Sequence, residues 1–230
     1  MAYENIVAII PARGGSKGIN KKNQVNFAGE PLIKWTISQA KKSNQILNVY
    51  VSSDDQEILD ISQNAGAIPL RRPEEISGDY SSSEECLNHF INSIEIIPDI
   101  VVFLQPTSPL RETKDIDLAI DVFKQSNLDS LFSATNAGDH FIWSTTEGGL
   151  RSENYDYKNR NRRQDICGQI IENGSFYIFK PKILLKNNNR LGGNIGFFLM
   201  DEWKVYEIDN MDDLKMCEFL FINKGLNKNV

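Results

Sequence analysis

Three glycines and four cations crowd one short stretch: Ile9-Ile10-Pro11-Ala12-Arg13-Gly14-Gly15-Ser16-Lys17-Gly18-Ile19-Asn20-Lys21-Lys22-Asn23. Gly14, Gly15 and Gly18 let a backbone approach a ligand closely and accept positive φ. Arg13, Lys17, Lys21 and Lys22 supply charge. Backbone N–H groups with Lys and Arg suit a polyanion such as a nucleoside triphosphate. The stretch contains neither a Walker A sequence nor a G-x-G-x-x-G fingerprint. The competing reading is a solvated basic turn after a strand.

Other residues could complete such a site. Gln105-Pro106-Thr107-Ser108-Pro109-Leu110-Arg111 offers an amide and a planar cationic fork in a loop stiffened by two prolines. An ordinary polar loop is the alternative. Arg71-Arg72-Pro73 and Ser81-Ser82-Ser83 form a second polar cluster. Its serines suit helix capping, and a helix start also receives anions. Arg160, Arg162 and Arg163 precede Gln164, either as a solvated face or as a cationic wall. Asn173-Gly174 reads as a turn before a strand. Glu207-Ile208-Asp209 puts two carboxylates on one side of a strand, because the side-chain period there is two. Such paired oxygens suit a hard cation such as Mg²⁺, although a solvated strand edge gives the same pattern.

The elements that must position these residues follow from periodicity. Apolar runs at Ile6–Ile10, Val49–Ser52, Ile100–Leu104 and Ser130–Ala134 read as strands. Amphipathic helices fall between them, one opening at Asp54-x-x-Glu57, one at Ser82-x-x-Glu85, and one over Asp115 to Phe123. This alternation predicts an α/β fold, a mostly parallel central sheet with helices on both faces. Ligands then bind at the carboxyl ends of strands, where the glycine loop and the Gln105 loop both lie. Residues 136–165 break the rhythm with His140-Phe141-Ile142-Trp143 and a charged run. Ser175–Phe179, Phe197–Met200 and Lys204–Ile208 read as further strands, and Met211–Phe221 as a closing helix.

The 230 residues, 40% hydrophobic, suffice for one core without disulfides. A net charge of −6 argues against a general nucleic-acid surface. Cys86, Cys167 and Cys217 show no C-x-x-C pattern, so reduced thiols in a cytoplasmic protein are expected. With only two histidines, a His-based metal site or a Ser-His-Asp triad is not expected. No apolar run reaches the length of a membrane span, and no signal peptide is expected.

Taken together, IIPARGGSKGINKKN, VSSDDQEI, QPTSPLR, RRQDICGQIIENGSFYIFKP and YEIDNMDDL resemble the acylneuraminate cytidylyltransferases, or CMP-sialic acid synthetases. The resemblance runs in order from Ile6 to about Phe221. SKGI, where the related Kdo enzymes carry SKRL, sets the chain apart from those. The resemblance implies a nucleotide-diphospho-sugar transferase-like domain over residues 1–230, with 139–173 as a dimerisation excursion, and a homodimer. It implies CMP transfer from CTP to a nonulosonic acid, with Mg²⁺ or Mn²⁺, and no nucleic-acid or membrane partner. By matching position, Arg13, Lys22 and Asn23 would hold CTP, with Ala12 and Ser16 beside them. Arg72, Ser82 and Ser83 would lie at the nucleotide. Gln105, Pro106, Thr107 and Arg111 would meet the sugar acid, Asn173 would contact substrate, and Arg163 and Gln164 would reach the active site from the excursion, either their own subunit's or the partner's. Arg13, Lys22, Gln105 and Asp209 would carry the chemistry, and Asp209 with Glu207 the metal. Glu207 departs from the family's aspartate. Activation of legionaminic, pseudaminic or deaminated neuraminic acid, or a non-catalytic CTP or CMP-sugar sensor, are the other readings.

Overall fold

The computed structural model describes residues 4–138, 140–160, 162 and 168–229. The first strand, β1 (Ile6–Pro11), forms where every side chain is apolar. A strand of that kind must be covered on both faces. A small hairpin follows, β2 (Asn26–Phe27) and β3 (Glu30–Pro31), then α1 (Leu32–Lys41), β4 (Asn48–Ser53), α2 (Gln56–Asn64) and β5 (Ile68–Arg71). Next come α3 (Ser83–Ser93), β6 (Ile100–Leu104), α4 (Thr113–Gln125) and β7 (Ser130–Asn136). The remainder is β8 (Trp143–Thr146), β9 (Gly149–Ser152), β10 (Ile170–Phe179), α5 (Pro181–Asn187), β11 (Ile195–Leu199) and α6 (Met211–Asn223).

Among the described residues, seven strands form one sheet in the order β11-β7-β10-β6-β1-β4-β5. The pairs β1–β4, β1–β6, β4–β5 and β7–β11 are parallel, and β10 runs antiparallel to both its neighbours. The expected mostly parallel sheet is therefore present, with one reversed strand. Alternation along β1 splits the core. Ile6, Ala8 and Ile10 pack with Ile33 and Ile37 of α1, Ile58 of α2 and Ile116 and Ile120 of α4. Val7 and Ile9 pack with Leu87, Phe90 and Ile91 of α3 and Leu184 of α5. Helices cover both faces, as the pattern predicts.

A third cluster fixes the site. Ile19 from the glycine loop and Ile208 share one apolar nest with Phe27, Trp35, Leu110, Leu214 and Phe221. Phe27 and Trp35 meet Phe221 edge-on at 5.1 and 4.7 Å, a geometry that adds about 0.5–1.5 kcal/mol per pair beyond area burial. Helix α6 thus holds the end of the glycine loop and the Glu207–Asp209 segment against one another.

Several elements differ from their sequence-based expectation. Helix α2 is capped by Asp55, which accepts from Ile58 N–H, one residue later than the expected Asp54. Helix α3 has the expected Ser82–Glu85 capping box. Lys204–Ile208 is not a strand. A 3₁₀ turn covers Glu202–Val205, and the chain then runs irregularly to α6. The reason is the Lys204 ammonium, which is buried and bonded to Glu112 at 2.7 Å and to Asp115 at 2.7 and 2.9 Å. That inward tether overrides the β-like alternation. Asn173-Gly174 lies inside β10, where the pairing with β7 shifts register between Glu172 and Tyr177. The excursion contains the two-stranded hairpin β8–β9. Cys86 and Cys217 are free and buried, while Asp139 and Cys167 lie outside the described residues.

Candidate active site

Strands β1, β4, β5 and β6 end on one edge of the sheet, and the loops beyond them converge there. A cleft of about 310 Å³ opens at this edge. The loop after β1 lines it with Arg13, Gly15, Ser16, Lys22 and Asn23. The loop after β6 adds Gln105, Pro106 and Thr107, the start of α3 adds Ser83, and the irregular segment before α6 adds Glu207 and Asp209. Pro11 and Phe103 form apolar floor. Residues almost two hundred positions apart in the chain thus meet.

The glycine loop is held from both sides. Gly14 N–H donates to the Asp54 carboxylate at 2.9 Å, and Asn23 Nδ2 donates to the Arg13 carbonyl at 3.0 Å. Lys21 sits in the left-handed region at φ 51°, at the mouth of a short turn over Lys22–Gln24. That kink sends the two neighbouring lysines apart. Lys21 pairs outward with Glu57 at 2.7 Å. Lys22 turns inward, donating to the Ile208 carbonyl at 2.8 Å and to Asp209 Oδ1 at 3.1 Å. Gly18 is required at its position. A Cβ there would lie 1.8 Å from the Asp209 carbonyl oxygen.

The acidic wall is anchored by backbone. Ile208 N–H donates to the Thr107 carbonyl at 2.8 Å, joining the carboxylate segment to the Gln105 loop. Asp209 N–H donates to Asp213 at 3.0 Å, and Asn210 caps α6. Glu207 and Gln105 both flank Gly174, each with a terminal atom 3.3 Å from where a Cβ would be. Gly174 has φ 66°, and its lack of a side chain leaves room for both. Partial burial against the cleft wall raises the Glu207 carboxyl above the usual carboxylate range. The neighbouring Asp209 charge adds to this, and Lys22 opposes it. A second cation would relieve that like-charge contact.

Among the described residues, no group of three or more His, Cys, Asp or Glu side chains is arranged to hold a metal ion. Glu207 and Asp209 alone fit a cation that takes one or two carboxylates and completes its shell with phosphate oxygens, as Mg²⁺ does.

Five expected residues sit elsewhere. Ala12 is 1% exposed beneath the loop, its N–H bonded to the Ser52 carbonyl at 2.9 Å. Ser82 is spent on capping α3, accepting from Glu85 N–H at 3.2 Å. Arg72 is buried beside the cleft, 3.9 Å from Asp54, with Nε and Nη2 lacking a hydrogen-bond partner. Arg111 lies under the cleft, not in it, and is 1% exposed. Its guanidinium donates to the Ser175 carbonyl at 2.6 Å, Thr36 Oγ1 at 2.8 Å and the Gln105 carbonyl at 2.9 Å. Burial lowers its pKa to about 9, still far enough above 7 to keep the charge. Asn173 is buried too, accepting from Ser133 at 2.6 Å and donating to the Lys204 carbonyl at 3.2 Å. Both are braces of the cleft wall. Arg163 and Gln164 lie outside the described residues.

Sequence reasoning passed over Gly174 and Asp54. Gly174 looked like a turn because Asn-Gly is a turn signal. Asp54 fits a helix cap by local pattern, and only the fold brings it to the Gly14 amide.

A family profile described as "Cytidylyltransferase" matches residues 7–182. The chain is 36% identical over 218 residues to N-acylneuraminate cytidylyltransferase A of Danio rerio, covering 93% of this chain and 50% of that protein. It is 32% identical over 228 residues to the pseudaminic acid cytidylyltransferase of Campylobacter jejuni, covering 94% and 95% of the two. The chain thus spans about half the length of the fish relative and nearly all of the bacterial one. A solved structure of CMP:2-keto-3-deoxy-manno-octonic acid synthetase complexed with CTP shares the fold, with a TM-score of 0.74 at 16% identity, covering 96% of this chain and 99% of that one. The chain belongs to the cytidylyltransferase family.

Proposed function

We propose that this chain transfers CMP from CTP to the anomeric oxygen of a nonulosonic acid, N-acylneuraminate first, releasing pyrophosphate. The observation that carries the reading is the meeting of Arg13 and Lys22 with Glu207 and Asp209 across one cleft. Cations from one loop and paired carboxylates from another suit a polyphosphate with its divalent metal.

Arg13, Lys22 and Asn23 would receive the triphosphate on the glycine loop. Ser83, which lines the cleft, and Arg72, buried beside it, would lie at the nucleotide. Gln105, Pro106 and Thr107 form the wall that would meet the sugar acid. Holding the two substrates for in-line attack of the anomeric oxygen on the α-phosphorus does much of the work. Lys22 and Arg13 would balance charge as pyrophosphate leaves. Glu207 and Asp209 would hold Mg²⁺ or Mn²⁺, which when bound neutralises phosphate charge and orients the leaving group. Arg111 and Asn173 act indirectly, by bracing the loops that carry Gln105 and Glu207.

The chain would act as a cytoplasmic homodimer, with residues 139–173, Arg163 and Gln164 among them, reaching toward the partner. An exposed apolar strand edge supports that reading. Ile195, Phe197 and Leu199 alternate along β11 and are 50%, 48% and 46% exposed. No helix among the described residues is long and apolar enough to cross a membrane.

A second substrate reading rests on the near full-length match to a relative named for pseudaminic acid. One or two pocket contacts can decide sugar identity. The test is incubation with CTP, Mg²⁺ or Mn²⁺ and a panel of nonulosonic acids, with products identified by mass. A CMP-sugar from N-acetylneuraminate is the expected result. A product only from pseudaminic, legionaminic or deaminated neuraminic acid would move the assignment to that sugar. No product from any of them, with CTP bound, would make the chain a sensor.

A further inference from the structure

We infer that Asp79 is an internal competitor for the phosphate-binding cations, a carboxylate that the triphosphate must displace. This rests on the reading of the cleft as a CTP site. Asp79 belongs to the exposed loop between β5 and α3, which carries Gly78 and Tyr80 on either side. Its Oδ1 lies 3.0 Å from Arg13 Nη1, and its Oδ2 lies 3.3 Å from Lys17 Nζ. One carboxylate therefore bridges two cations of the glycine loop. Arg13 also donates to the Gly78 carbonyl at 2.9 Å, and Lys17 sits 5.6 Å from the Tyr80 ring.

For a guanidinium N–H, a carboxylate oxygen and a phosphate oxygen are the same kind of charge-assisted acceptor, and Arg13 gives Asp79 one such bond, from Nη1. A phosphate chain approaching Arg13 from the cleft meets Asp79 already in place, held from its other oxygen by Lys17 outside the cleft. The loop can yield. Tyr80 is 99% exposed, and the Asp79 side chain is 45% exposed, so leaving costs little packing. Exposed ion pairs are individually weak. Their replacement by a multiply charged ligand is favourable, but a fraction of the binding free energy is spent on it. The same contact would reclaim Arg13 and Lys17 as pyrophosphate departs, which favours product release over product inhibition.

Asp79→Asn and Asp79→Glu test this, measured by calorimetric titration with CTP and Mg²⁺ in the absence of sugar, with uncharged cytidine as the control ligand. Asp79→Asn is expected to bind CTP about three- to tenfold more tightly, with cytidine unchanged, and pyrophosphate should inhibit it more strongly. Asp79→Glu keeps the charge and should stay near wild type. Unchanged or weaker CTP binding by Asp79→Asn would overturn the proposal and make Asp79 an organiser of the two cations. Equal tightening of CTP and cytidine would also overturn it, because a competitor for phosphate cannot act on a ligand without one. No CTP binding by the wild-type chain would remove the CTP reading of the cleft, and this inference with it.

Discussion

The Lys22 ammonium lies 3.1 Å from Asp209 Oδ1 and 2.8 Å from the carbonyl of Ile208, so the basic loop and the acidic wall are in direct contact. The two residues are 187 positions apart. Lys22 is largely enclosed, with 13% of its side chain exposed, while Asp209 faces solvent at 68%. The lysine is thus a fixed charge, and the aspartate is the partner with freedom to turn toward a ligand.

Lys22→Ala should therefore cost catalysis more than folding. On the proposed reading the charge it removes would meet the phosphates, and losing one such group typically costs about 10²–10³-fold in turnover. Lys22→Ala is expected to melt near wild type and to lose at least that much activity. A variant within about tenfold of wild type, roughly 1.4 kcal/mol of barrier, would remove Lys22 from the site.

The carboxylate pair should divide unequally. Asp209 is exposed and free to reorient, whereas Glu207 is flanked by Gly174 and Gln105. Asp209→Asn should raise the Mg²⁺ concentration needed for half-maximal rate by about tenfold or more, with partial recovery at high metal. Glu207→Gln should shift it less, because on the proposed reading its arm, longer than the aspartate the family resemblance implies, would reach the metal through water. Metal titration of both variants checks this. Curves that overlay wild type for both would make the pair a solvated edge.

Gly18 and Gly15 offer a paired test of the loop's geometry. An added Cβ at Gly18 meets the Asp209 carbonyl at 1.8 Å, whereas at Gly15 it meets nothing within 4 Å. Gly18→Ala must push the carboxylate segment away from Lys22. It should lose about 1–3 kcal/mol of stability and most of its metal-dependent activity. Gly15→Ala should keep wild-type stability, and any loss there would report on substrate contact alone. Thermal melts of the two variants decide it. Equal melting temperatures would mean the loop is loose enough for the contact not to matter.

The contrast between these glycines shows what the sequence could carry. A glycine-rich basic loop after an apolar strand is legible from residue types, and so is its position at the carboxyl edge of a parallel sheet. The Ser82–Glu85 cap was legible too, because it is local. Arg111 was not. A loop arginine near prolines looks like a ligand fork until Thr36 and Ser175, 75 and 64 residues away, are found to take its donors. The Lys204–Ile208 segment failed for the same reason. Its alternation is strand-like, but the buried Lys204 ammonium answers to Glu112 and Asp115, about 90 residues earlier. Local pattern reports local structure, and long-range ion pairs can overrule it.

Self-association is the last expectation. An edge strand with apolar side chains at half exposure is a liability unless something covers it. On β11, Ile195, Phe197 and Leu199 are so placed, and Phe197 already packs against Phe132 at 6.4 Å between ring centroids. Trp143, which opens the β8–β9 hairpin, and Ile142 just before it are 41% and 51% exposed. A second copy covering these surfaces would bury them and bring its own excursion toward the cleft. Phe197→Asp should place one carboxylate in that interface and convert a dimer into a folded monomer, read by light scattering. Catalysis gives an independent reading. Lys22→Ala mixed with Arg163→Ala under subunit exchange should regain activity, because a mixed dimer would combine one intact cleft with one intact excursion. A wild-type monomer would end the dimer reading. A dimer without recovery, despite proven exchange, would keep the interface and confine each excursion to its own subunit.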